Sequence, residues 1–302
     1  MSLLYKIAGQ NIKQIKTNPF KLEKDIQRLI EANLFSVMGL ELVKSECPIK
    51  NKRIDTLAFD KETKSFVIIE YKRDKNSSVV DQGFTYLNLM LNNKADFIIE
   101  YNEALKGNLK RNNVDWSQTR VIFVSQSFTE NQIESVNFKD IGIELWEVQR
   151  FDDNLISVDR IKKSATTESI KPIMKSKLEY EEVVREIKVY TEDKHLESKS
   201  DEVKELYSKF KAAILNLADN IEIKPLVVYI AFKHEGQNIC DIEIYKKSLR
   251  LYINKKKGTL EDPKKLTRDI SKLGHHGNGD YDIDIPDDRN IEYIMSLIKQ
   301  AL

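Results

Sequence analysis

The sequence predicts an α/β protein: a mixed sheet flanked by helices, followed by a second, smaller α+β domain. Three observations predict it. Helix-period and strand-like runs alternate up to about residue 162, the pattern of a sheet covered by helices. A stretch rich in Lys, Glu, Ser and Thr then fills 163–199 and reads as a linker with one partial helix around Tyr180 to Val189. Periodic order returns over 200–302. The predicted division is therefore a first domain over 1–162, a linker over 163–199 and a second domain over 200–302.

The elements follow in order. Asn18-Pro19 predicts a helix start, with Asn18 as N-cap and Pro19 in the first turn. Leu22, Ile26, Leu29, Ile30 and Leu34 then recur at helical spacing. LELVKSECPI, RIDTLAF and SFVIIEYK predict strands, the last two forming a hairpin around DKETK. Ser78 and Asp81 resemble a capping box opening a helix over 79–91. ADFIIEY and RVIFVSQ predict strands, TENQIESV a short helix and IGIELWEV another strand. Beyond the linker, DEVKELYSKFKAAILNLA predicts a helix. PLVVYIAFK, ICDIEIYK and LRLYINKKKG predict strands, and NIEYIMSLIKQAL a closing helix.

Composition narrows the function classes. The 302 residues carry 49 basic and 48 acidic side chains, a net charge of +1. A polyanion would have to be bound by a local patch rather than by global charge. With 32% charged residues and no apolar run near the ~20 needed to span a bilayer, the expectation is a cytoplasmic protein with no membrane partner. The N-terminus lacks the apolar core of a signal peptide. Cys47 and Cys240 lie far apart, with no CxxC spacing, which fits a reducing compartment and no structural zinc.

The hairpin carries the chemistry. Phe66, Ile68, Glu70 and Lys72 share one face of its second strand, and Val67, Ile69, Tyr71 and Arg73 the other. Both faces are mainly apolar, which predicts a central strand covered on both sides. A tight turn at Glu62-Thr63 would set Asp55 opposite Glu70, with Cβ atoms roughly 5 Å apart. Two carboxylates so close in a half-dry place repel unless one is protonated or a cation lies between them. Mg²⁺ takes one or two carboxylates, keeps several waters and accepts phosphate oxygens. Lys72 would then hold the attacking water or face the phosphate. An ordinary solvated ion pair is the competing account of the same three residues. On the first helix, Glu23 falls at the border of the apolar stripe and is the candidate third acid, unless it serves the helix dipole. Glu31 is expected to face solvent. Gln82 and Tyr86 share a face of the next helix, where each needs a polar partner: a water network or a phosphate.

These segments carry a resemblance. "IDTLAFD…FVIIEYKRD" resembles the D-(x)n-E-x-K signature of the PD-(D/E)XK nuclease superfamily, "KLEKDIQRLIEANL" its first helix, and "DQGFTYL" the Q-x-x-x-Y motif of its RecB-like branch. The likeness covers about residues 18–150 and is greatest to the NucS-like and Mrr-like restriction-endonuclease folds. Ile54 stands where the family name has proline. The resemblance implies metal ligands at Asp55, Glu70 and Glu23, a catalytic Lys72, and auxiliary roles for Gln82 and Tyr86. It also implies DNA as substrate, and Mg²⁺ as cofactor with Mn²⁺ as a substitute. A restriction, genome-defence or repair endonuclease is the expected activity, with a homodimer as one expected form. A nucleic-acid-binding or sensing module that does not cleave, and a nuclease acting on RNA, are the alternatives. "LEDPKKL" and "GHHGNGDYDIDI" resemble a domain of unknown function often attached to such nucleases, whose partner the sequence leaves open.

Overall fold

The computed structural model describes residues 4–72, 78–138, 140–163, 168–170 and 180–302. Arg73 and Asp74, the last residues of the hairpin motif, lie outside them. The chain divides into two compact units, Met1–Val189 and Tyr190–Leu302. Among the described residues, no helix is long and apolar enough to cross a membrane.

The first unit opens with a two-stranded ribbon, β1 (Leu4–Ala8) and β2 (Asn11–Ile15), followed by α1 (Glu23–Ala32) and α2 (Leu34–Met38). Its six-stranded sheet contains β3 (Glu41–Ile49), β4 (Lys52–Asp60), β5 (Ser65–Lys72), β6 (Arg120–Ser125), β7 (Ile143–Arg150) and β8 (Ile156–Arg160), side by side in that order. The β3–β4–β5 pairings and β7–β8 are antiparallel, whereas β5–β6 and β6–β7 are parallel. A parallel pair needs a long crossover. Between β5 and β6 this contains α3 (Val79–Asn92) and α4 (Lys94–Leu105); α5 (Glu130–Ser135) lies between β6 and β7.

β5 is central, as its two apolar faces predict. Phe66 and Ile68 join one core with Val79, Phe84 and Leu87 of α3. Val67, Ile69 and Tyr71 join another with Ile26 and Ile30 of α1. Each fully buried aliphatic or aromatic side chain contributes about 1.5–3 kcal/mol, so the strand bearing Glu70 is anchored on both sides. α3 crosses the sheet closely at Gly83: a Cβ there would lie 2.3 Å from Ile143 Cδ1 and 2.8 Å from its Cγ1. Gly83→Ala should therefore cost about 1–3 kcal/mol through overpacking; an unchanged denaturant midpoint would contradict this contact.

Several predicted elements need correction. ADFIIEY is helical, within α4, not a strand. A short apolar run does not distinguish the two, and here Phe97 and Ile98 turn inward while Ile99 stays exposed. The first helix starts at Glu23, not at Asn18-Pro19. Thr17 instead bridges Phe151, and Asn18 N–H donates to Arg150 O at 2.8 Å, so tertiary pairing holds this segment extended. The stretch read as a linker supplies Ile170, Tyr180, Val183 and Ile187 to the first unit's core, the last three on or beside α6 (Glu181–Glu186). The ribbon and β8 have no counterpart in the sequence reading.

The second unit contains α7 (Glu192–Leu196), α8 (Asp201–Leu215), strands β9 (Glu222–Pro225), β10 (Ile230–His234), β11 (Gln237–Ile244), β12 (Leu249–Ile253), β13 (Arg268–Asp269) and β14 (Tyr281–Ile285), and α9 (Ile291–Ile298). Its antiparallel sheet runs β13-β14-β12-β11-β10-β9. Val203, Phe210 and Ile214 of α8 and Ile294 and Ile298 of α9 share a core with alternating strand residues such as Ile242, Leu251 and Ile283. PLVVYIAFK is two strands rather than one, because Leu226 N–H bonds Tyr229 O and reverses the chain between them.

Candidate active site

The β4–β5 turn sets the site's register. Asp60 Oδ1 accepts from the N–H groups of Glu62 at 3.0 Å and Thr63 at 3.1 Å. Pairing then runs from Asp60↔Ser65 to Thr56↔Ile69, and the next step brings Asp55 to Glu70. Asp55 N–H points to Glu70 Oε1 at 3.4 Å, and Tyr71 N–H donates to Asp55 Oδ2 at 3.1 Å. Lys72 Nζ stands 3.9 Å from Glu70 Oε2, its side chain 19% exposed. The aspartate, glutamate and lysine thus converge where the two strands end.

Gln82 and Tyr86 complete the setting. Ser78 caps α3, its hydroxyl accepting from Asp81 N–H at 3.2 Å, and the helix face over β5 carries both residues. Gln82 Nε2 donates to Glu70 Oε2 at 3.3 Å and lies 3.5 Å from Tyr86 Oη. Tyr86 also lies close enough to Glu70 to favour its charged form. Within the protein, the polar partner of Gln82 is thus the Glu70 carboxylate, with Tyr86 one helical turn away.

Electrostatics follow from this geometry. Glu70 is 4% exposed. Burial, and then the charge of Asp55, push its carboxyl up to about 7, against the opposing pull of Tyr86 and Lys72. Asp55 is also raised, by burial first and also by Glu46 and Glu23, while the Tyr71 N–H and Lys72 oppose the rise. Burial and the neighbouring Glu70 likewise raise the Tyr86 phenol.

Glu23 lies exposed at the first residue of α1, where its charge is felt at Asp55. Among the described residues, no three His, Cys, Asp or Glu side chains gather as a metal site. Glu23 is therefore not drawn into one group with Asp55 and Glu70.

Other acidic and polar groups were missed by the sequence reading. Glu46 falls beside Asp55 in the β3–β4 register, between the pairs Ser45↔Thr56 and Cys47↔Ile54, and pairs with Lys24 and with Arg53 at 2.5 Å. Glu31, expected to face solvent, bonds inward: its Oε1 accepts from Thr56 Oγ1 at 2.5 Å and Gln27 Nε2 at 3.0 Å. The buried Thr56 hydroxyl requires an acceptor, and the α1 side chain turns to supply it. Gln27, 3% exposed, also donates to Asp55 O at 2.9 Å, supporting Asp55 from behind through its main chain. A glutamine between Ile26 and Ile30 on the apolar stripe was the available signal. Gln27→Leu should cost about 1–3 kcal/mol by stripping these buried acceptors of their donor; a melt matching that of the parent protein would argue against the network.

His275 of the second unit makes local contacts. His275 Nδ1 bonds Leu273 O at 2.9 Å and its ring stacks on Tyr252 at 6.1 Å.

Comparison with known proteins places the chain. An uncharacterized protein of Haemophilus influenzae (strain ATCC 51907 / DSM 11121 / KW20 / Rd) is 56% identical over 302 residues, covering 100% of this chain and 99% of that protein. The chain belongs to that protein's family. Within the family sequence, residues 192–302 match a domain of unknown function (DUF5655). Among solved structures, a repair endonuclease from Pyrococcus abyssi overlaps 43% of this chain and 48% of its own, at 20% identity and a TM-score of 0.26. The EndoMS-dsDNA2 complex overlaps 48% of this chain and 64% of its own, at 14% identity and a TM-score of 0.30. SfsA of Pyrococcus furiosus, in complex with Ca²⁺, overlaps 49% of this chain and 75% of its own, at 12% identity and a TM-score of 0.23. The first two overlaps span less than two thirds of those structures, and at these scores the site's own geometry must carry the functional reading.

Proposed function

We propose that this chain is a divalent-metal-dependent nuclease that hydrolyses DNA phosphodiester bonds. The observation that carries the reading is the convergence of Asp55, Glu70 and Lys72 at the end of a strand pair, with Glu70 buried and held by Gln82. Two carboxylates at close quarters, both raised toward protonation, form a donor set that a hard dication fits. Asp55 and Glu70 would hold Mg²⁺, or Mn²⁺ in its place. When bound there, the ion would neutralise charge on the scissile phosphate and lower the pKa of a coordinated water.

The chain's own groups divide the remaining work. Tyr71 N–H fixes Asp55 Oδ2, and Gln82 holds the Glu70 carboxylate, with Tyr86 beside it. The ligands are thereby oriented before any ion arrives, which limits the reorganisation needed in the reaction. Lys72, charged and partly open to solvent, orients the attacking water or faces the phosphate oxygens. Glu23, at the mouth of α1, adds negative charge that favours cation capture.

The test is cleavage of supercoiled plasmid and of a structured RNA, side by side, with Mg²⁺, Mn²⁺ or EDTA. The reading expects plasmid nicking that requires the dication. Binding of DNA without turnover under either metal would replace it with a recognition module, and cleavage confined to RNA would change the substrate.

A further inference from the structure

The N-terminal ribbon has features that a free surface would not favour. Among the described residues, β1 and β2 pair only with each other, in register Leu4↔Ile15 to Ala8↔Asn11. An isolated two-stranded hairpin is marginally stable in water. The cross-strand pair Ile7↔Ile12 is nonetheless exposed, at 78% and 67%, with Tyr5 on the same face. On the opposite face, Lys6 is paired directly with Lys13, an arrangement of like charges that destabilises a hairpin. The sequence contains no acid before Glu23, while Lys6, Lys13, Lys16 and Lys21 all precede it. A chain with 49 basic and 48 acidic residues thus begins with a segment of one sign.

We propose that this ribbon is an arm that grips duplex DNA, with its lysines on the phosphates and the Ile7–Ile12 tip against base edges in a groove. The inference rests on the nucleic-acid reading of the active site. A two-stranded ribbon fits the major groove of B-DNA, where apolar side chains can contact the thymine methyl groups. Phosphates turn the Lys6–Lys13 repulsion into attraction. Lys6 reaches Asp153 at 2.9 Å, but both side chains are at least half exposed, so the pair is weak enough to be exchanged for phosphate. A second copy of the chain is the poorer occupant. One face of four short-strand residues falls far below the roughly 800 Å² per partner of a stable interface, and stacking the lysine faces would add like charge.

The test uses the full chain and a fluorescent DNA duplex in EDTA, so that binding is read without turnover, across a salt titration. Lys13→Ala/Lys16→Ala should lower the magnitude of the log K against log salt slope by about 2. Ile7→Ser/Ile12→Ser should weaken binding by about tenfold with the slope unchanged. All four positions are exposed, and circular dichroism checks that the variants fold. Parental affinity and slope in both variants overturn the arm, even if the protein cuts DNA. A parent that binds no duplex overturns the arm together with the substrate reading. Conversion of a dimer to a monomer by Ile7→Ser/Ile12→Ser, with duplex binding intact, overturns the arm in favour of self-association.

Discussion

Asp55→Asn and Lys72→Ala should each lose at least about 100-fold in plasmid nicking, the scale on which a positioned acid–base group contributes. The two substitutions act differently. Asparagine keeps the size of Asp55 and can still accept the Tyr71 N–H bond seen at 3.1 Å. It removes the charge, so cation affinity should fall most, and high Mn²⁺ should recover part of the rate. Alanine at Lys72 leaves both carboxylates in place but removes the ammonium 3.9 Å from Glu70 Oε2. Its loss should appear in the rate at saturating metal and should not be rescued by more metal. Lys72 is partly exposed, so truncation should leave the melting temperature within a few degrees of the parent. Nicking by either variant at the parental rate would remove these residues from the chemistry.

The metal-free protein should lose stability as pH rises from about 4.5 through about 7, and Glu70→Gln should flatten that dependence. Glu70 has an ordinary value of 4.5 and is raised to about 7 in the fold, by burial and then by Asp55. A carboxyl whose folded value is raised binds its proton more tightly when folded. Its stabilisation is fully present below the unfolded value and is lost as pH rises through the folded one. The difference amounts to about 3 kcal/mol, roughly 6–12 °C in the melting temperature of a unit this size. Asp55 is shifted in the same direction and adds to the slope. Glutamine is neutral at every pH, so the parent-minus-variant difference isolates Glu70. Thermal melts in EDTA at pH 5 and pH 8 measure it, and Mg²⁺ should restore much of the loss at pH 8 by supplying the missing positive charge. Identical pH dependence in parent and Glu70→Gln would mean that the carboxylate is neither buried nor crowded as described.

Much of this site was legible because its signals are local. The hairpin is written in two β-rich runs around DKETK, and a tight turn leaves a single register that joins Asp55 to Glu70. The apolar residues on both faces of SFVIIEYK announced a central strand, and the cores on either side agree. Gln82 and Tyr86 were findable because residues one helical turn apart share a face whatever lies beneath.

The remainder depended on contacts distant in sequence. Only the fold identified Glu70 as the partner of Gln82 and Tyr86, and turned Glu31 from solvent toward Thr56. It also made ADFIIEY a helix and drew residues near Tyr180 into the first core. Thus the sequence alone determined the α/β alternation, the hairpin and the carboxylate–lysine motif, since periodicity and turn chemistry act over a few residues. The tertiary structure decided where the first helix begins and which polar groups meet behind Asp55, because a buried donor or acceptor takes whatever partner packing brings within reach.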